Sequence, residues 1–270
     1  MSVSFIIPVW EKTTSSELFN SLQSLETNTE LINEFIIVFD GYKSFDLEIK
    51  FPPNIKDKIN YIYIWNNKGP GISRNIGVIF SKSKYIFFLD SGDRCLPNRV
   101  KTQLIDLINK GVSYGLIQYN TKYKNYFSKP VSTSFARLIL PFRNPYPNVC
   151  LAIKKDIFIK LKGYPSLRTG EDWVLAGKIL KFFDYVPFSN SILVETDIID
   201  IKKNLVFRRY GVKILKRLIS AHYKMFLLNL YNRMFFPIAI LYQVFLRLMP
   251  FKIFKFIYNM RLKFLFNKTK

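Results

Sequence analysis

The stretch that most constrains the fold is Lys84–Pro97, KYIFFLDSGDRCLP. Tyr85, Ile86, Phe87, Phe88 and Leu89 form an unbroken apolar run that stops at Asp90, Ser91, Gly92 and Asp93. Such a run without alternation suits a strand covered on both faces, which points to an α/β fold with a mainly parallel central sheet. In sheets of that kind ligands sit at the carboxyl ends of the strands. Two carboxylates at such an end are therefore a ligand-site candidate. Carboxylate oxygens suit a hard divalent cation, Mg or Mn, of the sort that accompanies a nucleotide diphosphate. The same residue types are also common in turns, and these residues alone leave both readings open.

The rest of the first 200 residues repeats the strand–helix pattern. Ser2–Trp10, SVSFIIPVW, reads as a strand; Thr14 and Glu17 have capping-box spacing, and Leu18, Leu22 and Leu25 share one helix face. Glu34–Phe39 is a second strand ending at Asp40-Gly41, so a βαβ unit places Asp40 at a strand's carboxyl end. Tyr61–Trp65 is a third strand. It leads into NNKGPGISRN, a turn at Gly69, Pro70 and Gly71 and then a helix carrying Ile72, Ile76 and Ile79. A glycine turn that opens a helix can present backbone N–H groups to an anion. The run Tyr85–Leu89 is the fourth strand. After Pro97 a helix carries Val100, Leu104, Leu107 and Ile108 on its apolar side, and Tyr114–Tyr119 is a further strand. Lys122–Pro147 shows no period and is expected to be a loop region over the site. Val149–Ile153 is a short strand, GYPSLRTGEDW leads into a helix through Val174, Ile179 and Leu180, and Ser191–Thr196 is the last strand. Glu171 and Asp172 open that helix, where negative charge is favoured on electrostatic grounds alone.

The remainder has another character. Residues 1–200 hold 25 Lys and Arg against 19 Asp and Glu; residues 201–270 hold 16 Lys and Arg and no acid. The tail's partner should be anionic, a membrane surface or a nucleic acid. Its charges lie among Phe, Leu and Ile runs, which argues against nucleic acid. Phe235–Leu246 is charge-free but short of the roughly twenty residues a spanning helix needs, and Pro237 within it and Arg247 just after it argue further against one. A basic, aromatic-rich tail of amphipathic, interfacial helices is expected, peripheral to the cytoplasmic face of the cell membrane. The lone histidine, His222, is expected to be solvated or to face headgroups. Cys95 and Cys150 make no disulfide framework, which suits a reducing cytoplasm, and no signal peptide is visible.

Taken in order, FIIPVW, Asp40-Gly41, NKGPGISRN, FFLDSGDRCLP and GEDW resemble the motifs of the inverting family 2 glycosyltransferases of the GT-A fold, over roughly residues 1–200. The tail resembles the membrane-associated ends of bacterial members that build surface polysaccharides. The resemblance implies a catalytic GT-A domain at 1–200 and a membrane-associating helical tail at 201–270. It implies transfer of a sugar from a nucleotide diphosphate-sugar, UDP as first choice, to a lipid-linked glycan acceptor. Residue by residue, Pro8, Val9 and Glu11 would line the nucleotide base. Asp40, beside Gly41, would hold that base, and Arg74 and Asn75 would lie near the ribose and diphosphate. Asp90 and Asp93 fall in the metal motif, Asp172 matches the catalytic base, and Glu171 and Trp173 border the acceptor. One position departs from the family: the usual Asp-x-Asp-Asp has a carboxylate where this chain has Gly92. Two other readings stand beside this one. A nucleotidyltransferase would be expected to carry a stronger glycine-rich basic loop after the first strand, where this chain has EKTTSSE. The other is a non-catalytic basic peripheral membrane protein.

Overall fold

The computed structural model describes residues 2–42, 51–120, 125–197 and 209–268. In chain order the first half runs β1 (Val3–Trp10), α1 (Ser15–Gln23), β2 (Glu34–Asp40), β3 (Ile59–Ile64), α2 (Pro70–Phe80), β4 (Tyr85–Phe88), β5 (Asp93–Cys95) and α3 (Arg99–Asn109). The second half runs β6 (Val112–Asn120), β7 (Asn125–Ser128), α4 (Thr133–Ile139), β8 (Ala152–Lys154), α5 (Lys155–Lys160), α6 (Glu171–Phe182) and β9 (Phe188–Asp197). Three helices follow, α7 (Val212–Leu227), α8 (Phe235–Leu248) and α9 (Phe251–Leu265), and then β10 (Phe266–Lys268).

The strands lie in the order β10-β7-β6-β8-β4-β1-β2-β3, with β9 paired to β6 and β5 to β9. The four strands β3, β2, β1 and β4 are mutually parallel, so all four carboxyl ends emerge on one side. Antiparallel β8 joins β4 to β6 and curls the sheet. The apolar runs do what continuous hydrophobicity requires: each contributes to both faces. Ile6, Ile36, Val38, Ile86 and Phe88 face one core, with Val78 of α2 and Val174 and Ile179 of α6. Phe5, Phe35, Ile37 and Phe87 face the other, with Leu18 and Leu22 of α1 and Val100 and Leu107 of α3. Each such side chain contributes about 1.5–3 kcal/mol when fully buried. The capping box at Thr14 and Glu17 is present, with Thr14 Oγ1 accepting from the Glu17 amide.

Several regions differ from the sequence reading: the expected strand Val149–Ile153 is a 3-10 turn at Asn148–Cys150 followed by β8, and Ile108, expected on the apolar side of α3, is exposed. In α2 the buried side is Gly71, Ser73, Arg74, Gly77 and Val78, while Ile79 is largely exposed. Small residues let this helix lie close on the sheet; a Cβ at Gly77 would stand 2.4 Å from Ile6 Cγ2. At 122–147 the expected loop region contains β7 and α4. Residues 121–124 lie outside the described segments. Strand β7 forms because it completes the edge of β6, and α4 because Ser132 caps it through the Phe135 amide at 3.3 Å.

The tail packs with one face of each helix. Leu215, Leu218, Ala221 and Met225 of α7 are buried, and Leu218, Ala221 and Met225 share the core containing α6. His222 is not solvated: it is fully buried, edge-on to Trp173 at 4.8 Å between ring centres. Burial and the nearby Arg247 push its pKa down to about 4, so it is a neutral core side chain. Tail residues 201–208 and 269–270 lie outside the described segments. Among the described residues no single helix is long and apolar enough to cross a membrane; α8 and the start of α9 make a pair, bent by 117°, that passes by length and composition only. Both cysteines are free and buried.

Candidate active site

The parallel strand ends and the starts of α2 and α6 meet. Asp40, at the end of β2, is 3% exposed. Its two carboxylate oxygens accept from the amides of Lys68 and Gly69, each at 2.7 Å. Those are the amides of the glycine turn, so Asp40 fixes the loop that starts α2. Gly41 has φ +88, and a Cβ there would come within 3.0 Å of Asn67 Cβ; glycine lets the turn close against Asp40. Gly71 allows a similar close approach at the start of α2. Its missing Cβ would meet Glu171 Cγ at 2.8 Å and Tyr164 Cβ at 3.1 Å, so the starts of α2 and α6 are in contact.

Arg74 joins the two carboxylate motifs. Its guanidinium is buried, donates to Asp90 Oδ1 at 2.5 Å, reaches Glu171 Oε1 at 3.8 Å, and lies over the Tyr164 ring at 5.5 Å. Burial opposes its charge, but Asp90, Tyr164 and Glu171 outweigh burial and hold it protonated. Asp90 keeps 42% of its side chain exposed. Its neighbour Asp93 is turned inward and accepts from Thr196 Oγ1 at 2.6 Å. Burial, then the charge of Asp90, push Asp93 up to about 7. Ser91 Oγ is 3.1 Å from Thr13 Oγ1 in the β1–α1 loop, and the Gly92 amide donates to Ser21 Oγ at 2.8 Å. Behind this loop Arg99 is fully buried, donating to the carbonyls of Phe88 and Val149 at 2.9 Å.

At the start of α6, Asp172 Oδ2 accepts from Asn144 Nδ2 at 2.9 Å and Oδ1 accepts from the Trp173 amide at 2.8 Å. Glu171 is buried beside it. Burial and then the Asp172 charge push Glu171 up to about 7; Arg74, already engaged by Asp90, offsets this only in part. Trp173 is also buried, its indole donating to the Leu140 carbonyl at 2.8 Å.

Other expected site residues take supporting places. Asn75 donates to the Tyr164 carbonyl at 2.8 Å and accepts from the Tyr164 amide at 2.9 Å. Its amide group therefore braces Tyr164. Val9 is 2% exposed and lies in the core, whereas Pro8 is half-buried and Glu11 exposed. Several site residues carried no sequence signal. Asn144 sits in the aperiodic 122–147 stretch. Arg168 donates to Asn67 Oδ1 and, at 2.5 Å, to the Asn67 carbonyl, clasping the glycine turn to the loop before α6. Tyr164 donates to Asn148 Oδ1 at 2.8 Å. Only the glycine and proline around Tyr164 hinted at a structured loop.

The donor set for a cation is narrow. Gly92 has φ +101, a conformation that a carboxylate-bearing residue would adopt only under strain. Among the described residues no group of three or more His, Cys, Asp or Glu could hold a metal ion. Asp90 has one oxygen not engaged by Arg74 and a half-exposed side chain. Asp90 could hold a Mg or Mn ion, which takes only one or two protein carboxylates in nucleotide sites.

Residues 4–159 match the family model described as glycosyl transferase family 2. The chain is 24% identical over 270 residues to the Escherichia coli UDP-Gal:alpha-D-GlcNAc-diphosphoundecaprenol beta-1,3-galactosyltransferase, covering 95% of this chain and 94% of that one. It is 22% identical over 265 residues to the amylovoran biosynthesis glycosyltransferase AmsE of Erwinia amylovora, covering 95% of this chain and 97% of the relative. Among solved structures, S. aureus TarS 1–349 in complex with UDP-GlcNAc superposes with a TM-score of 0.62 at 16% identity, over 91% of this chain and 73% of that one. With the family model spanning more than half of its length and the strand ends carrying the motif residues together, the chain belongs to glycosyl transferase family 2.

Proposed function

We propose that this protein is an inverting glycosyltransferase that moves a sugar from a UDP-sugar to a hydroxyl of a lipid-linked glycan in surface polysaccharide biosynthesis, at the cytoplasmic face of the cell membrane. The observation that carries the reading is Arg74. One guanidinium is 2.5 Å from Asp90, at the β4 end, and 3.8 Å from Glu171, next to Asp172, which supports a single site for donor and acceptor. The names of the Escherichia coli and Erwinia relatives support the lipid-linked acceptor and the pathway class, and the UDP-GlcNAc complex of TarS supports the donor class.

The chemistry follows from the residues. An acceptor hydroxyl is a poor nucleophile until its proton is taken. Asp172, oriented by Asn144, accepts that proton as the oxygen attacks the anomeric carbon. The bond from that carbon to the diphosphate oxygen breaks on the opposite face, so configuration inverts in one displacement. Negative charge then grows on the diphosphate. Arg74 would meet that charge, the Lys68 and Gly69 amides of the glycine turn being taken by Asp40. Asp90 would hold a Mg or Mn ion, with Asp93 behind it as a second candidate ligand. When bound, the ion supplies further neutralisation of the leaving group. Asp40 and Gly41 fix the turn against the nucleotide side, where Pro8 and Glu11 also lie.

The test is a screen of the purified protein against UDP-, dTDP- and GDP-sugars with a polyprenyl diphosphate-linked sugar as acceptor. Nucleotide diphosphate release is read with and without a divalent cation, and the anomeric configuration of the product by NMR. UDP release with an inverted product is expected. A product of retained configuration would remove Asp172 from its role, and release from none of the donors would remove the enzymatic reading.

A further inference from the structure

Helix α8 is apolar on two opposite sides, and only one of them is covered. Ala239, Gln243 and Leu246 face the protein and are buried. The opposite side carries Met234 just before the helix, then Ile238, Leu241, Phe245 and Leu248, all exposed, at 78%, 51%, 68%, 65% and 55%. Their spacing of four, three, four and three residues is that of one continuous helical stripe. In α9, Ile253 and Phe256 are exposed as well. A run of large exposed apolar side chains marks an interaction surface.

We infer that the outer face of α8 is the surface by which the protein seats in an anionic lipid bilayer, lying in the interface with its axis along the membrane. This rests on the membrane-surface reading proposed above and names the face that makes it. Charge selects the occupant. Residues 201–270 carry 16 Lys and Arg and no acid, and the neighbouring α7 exposes Lys213, Lys216 and Lys224. Each basic group near an anionic surface adds attraction. A second copy of the chain would bring the same unbalanced positive charge to the same place. A spanning pose is disfavoured by length: α8 has 14 residues, about 21 Å of helix against a hydrocarbon core of roughly 30 Å.

The buried side of α8 connects this surface to the site. Gln243 Nε2 donates to the Phe142 carbonyl at 3.3 Å, and Phe142 packs edge-on to Tyr242 and Phe235. Two residues further on, Asn144 holds Asp172. Docking through α8 therefore brings the acceptor side of the cleft to the bilayer surface, where a lipid-linked hydroxyl is presented.

The experiment is flotation of the full chain with vesicles of one-third phosphatidylglycerol and two-thirds phosphatidylethanolamine, and with pure phosphatidylcholine vesicles. The double variant Leu241→Glu/Phe245→Glu is compared with the parent after circular dichroism shows equal folding. The parent should float with the anionic vesicles and only weakly with the neutral ones, and the variant should partition about tenfold or more less. In a second arm, the added indole emission of Leu241→Trp should be quenched by lipids brominated on their acyl chains. A double variant that floats like its parent, an added indole that the brominated lipids leave unquenched, or a parent dimer that the variant splits without any lipid binding would each overturn the inference. UDP-sugar turnover is read on the same preparations. Loss of turnover with flotation intact removes the enzymatic reading alone, and the reverse removes the docking face alone.

Discussion

The end of β4 and the start of α6 each present a pair of acids, and the pairs are built alike. Each has one carboxylate turned inward and pushed up to about 7, Asp93 at the β4 end and Glu171 at the α6 start. The other member of each pair, Asp90 or Asp172, is partly exposed. The difference lies in what holds the outer member. Asp90 is bound by a buried cation, Arg74, at 2.5 Å. Asp172 is held by neutral donors, the Asn144 amide and the Trp173 N–H, and among the described residues it joins none of the ion pairs. A cation orients a carboxylate and offsets its charge; neutral donors orient it and leave the charge in place. In the reaction proposed above, the α6 end would take the proton and the β4 end would manage charge.

The largest expected effect separates the two outer members. Asp172→Asn should lower transfer by roughly 10²–10⁴ while leaving UDP-sugar binding intact, because the amide keeps the size but cannot take a proton. Asp90→Asn should instead weaken donor binding. Calorimetric titration with the UDP-sugar, set beside turnover, shows the split; equal behaviour of the two variants would erase the distinction.

Next is the residue that links the pairs. Arg74→Met leaves Asp90 and Glu171 without their cation. Unfolding free energy should fall by about 2–3 kcal/mol, less than for a fully buried pair because Asp90 is 42% exposed. Urea titration measures it. A loss under about half a kilocalorie would mean that the bridge contributes geometry alone.

Asn144→Ala should lower kcat by about tenfold with KM for the donor unchanged, since it frees Asp172 to turn without touching the nucleotide side. A change confined to donor KM would place Asn144 elsewhere in function.

The smallest effect concerns the inner members. Glu171 titrates at about 7 in the folded chain against an ordinary 4.5, so folding favours its protonated form. Its contribution to stability is complete below about pH 4.5 and declines as pH rises toward 7. Glu171→Gln should flatten this part of the dependence and raise Tm slightly at pH 8, while Asp93 continues to titrate. Melting curves from pH 4.5 to 8 test it; a steeper dependence in the variant would reverse the sign.

The sheet and its ligand edge were legible from local pattern. Continuous apolar runs such as Tyr85–Leu89 have one low-energy solution, a strand covered on both faces, and Asp40, Asp90 and Asp172 were marked by following a run or opening a helix. The capping box at Thr14 is likewise a contact between neighbours in sequence. The tertiary structure alone decided which polar groups meet. Asn75 is adjacent to Arg74 in sequence, yet it braces Tyr164 while Arg74 bridges Asp90 and Glu171, because successive helix positions point in different directions. His222 looked solvated in a basic segment, but it sits on the buried face of α7 against Trp173, about fifty residues away in sequence. Asn144 and Arg168 had no pattern to show, since their partners are chosen by where the folded loops cross. Periodicity records what each residue does with its near neighbours. The division of labour between the two acid pairs depends on contacts over long sequence separations, which only packing of the whole chain creates.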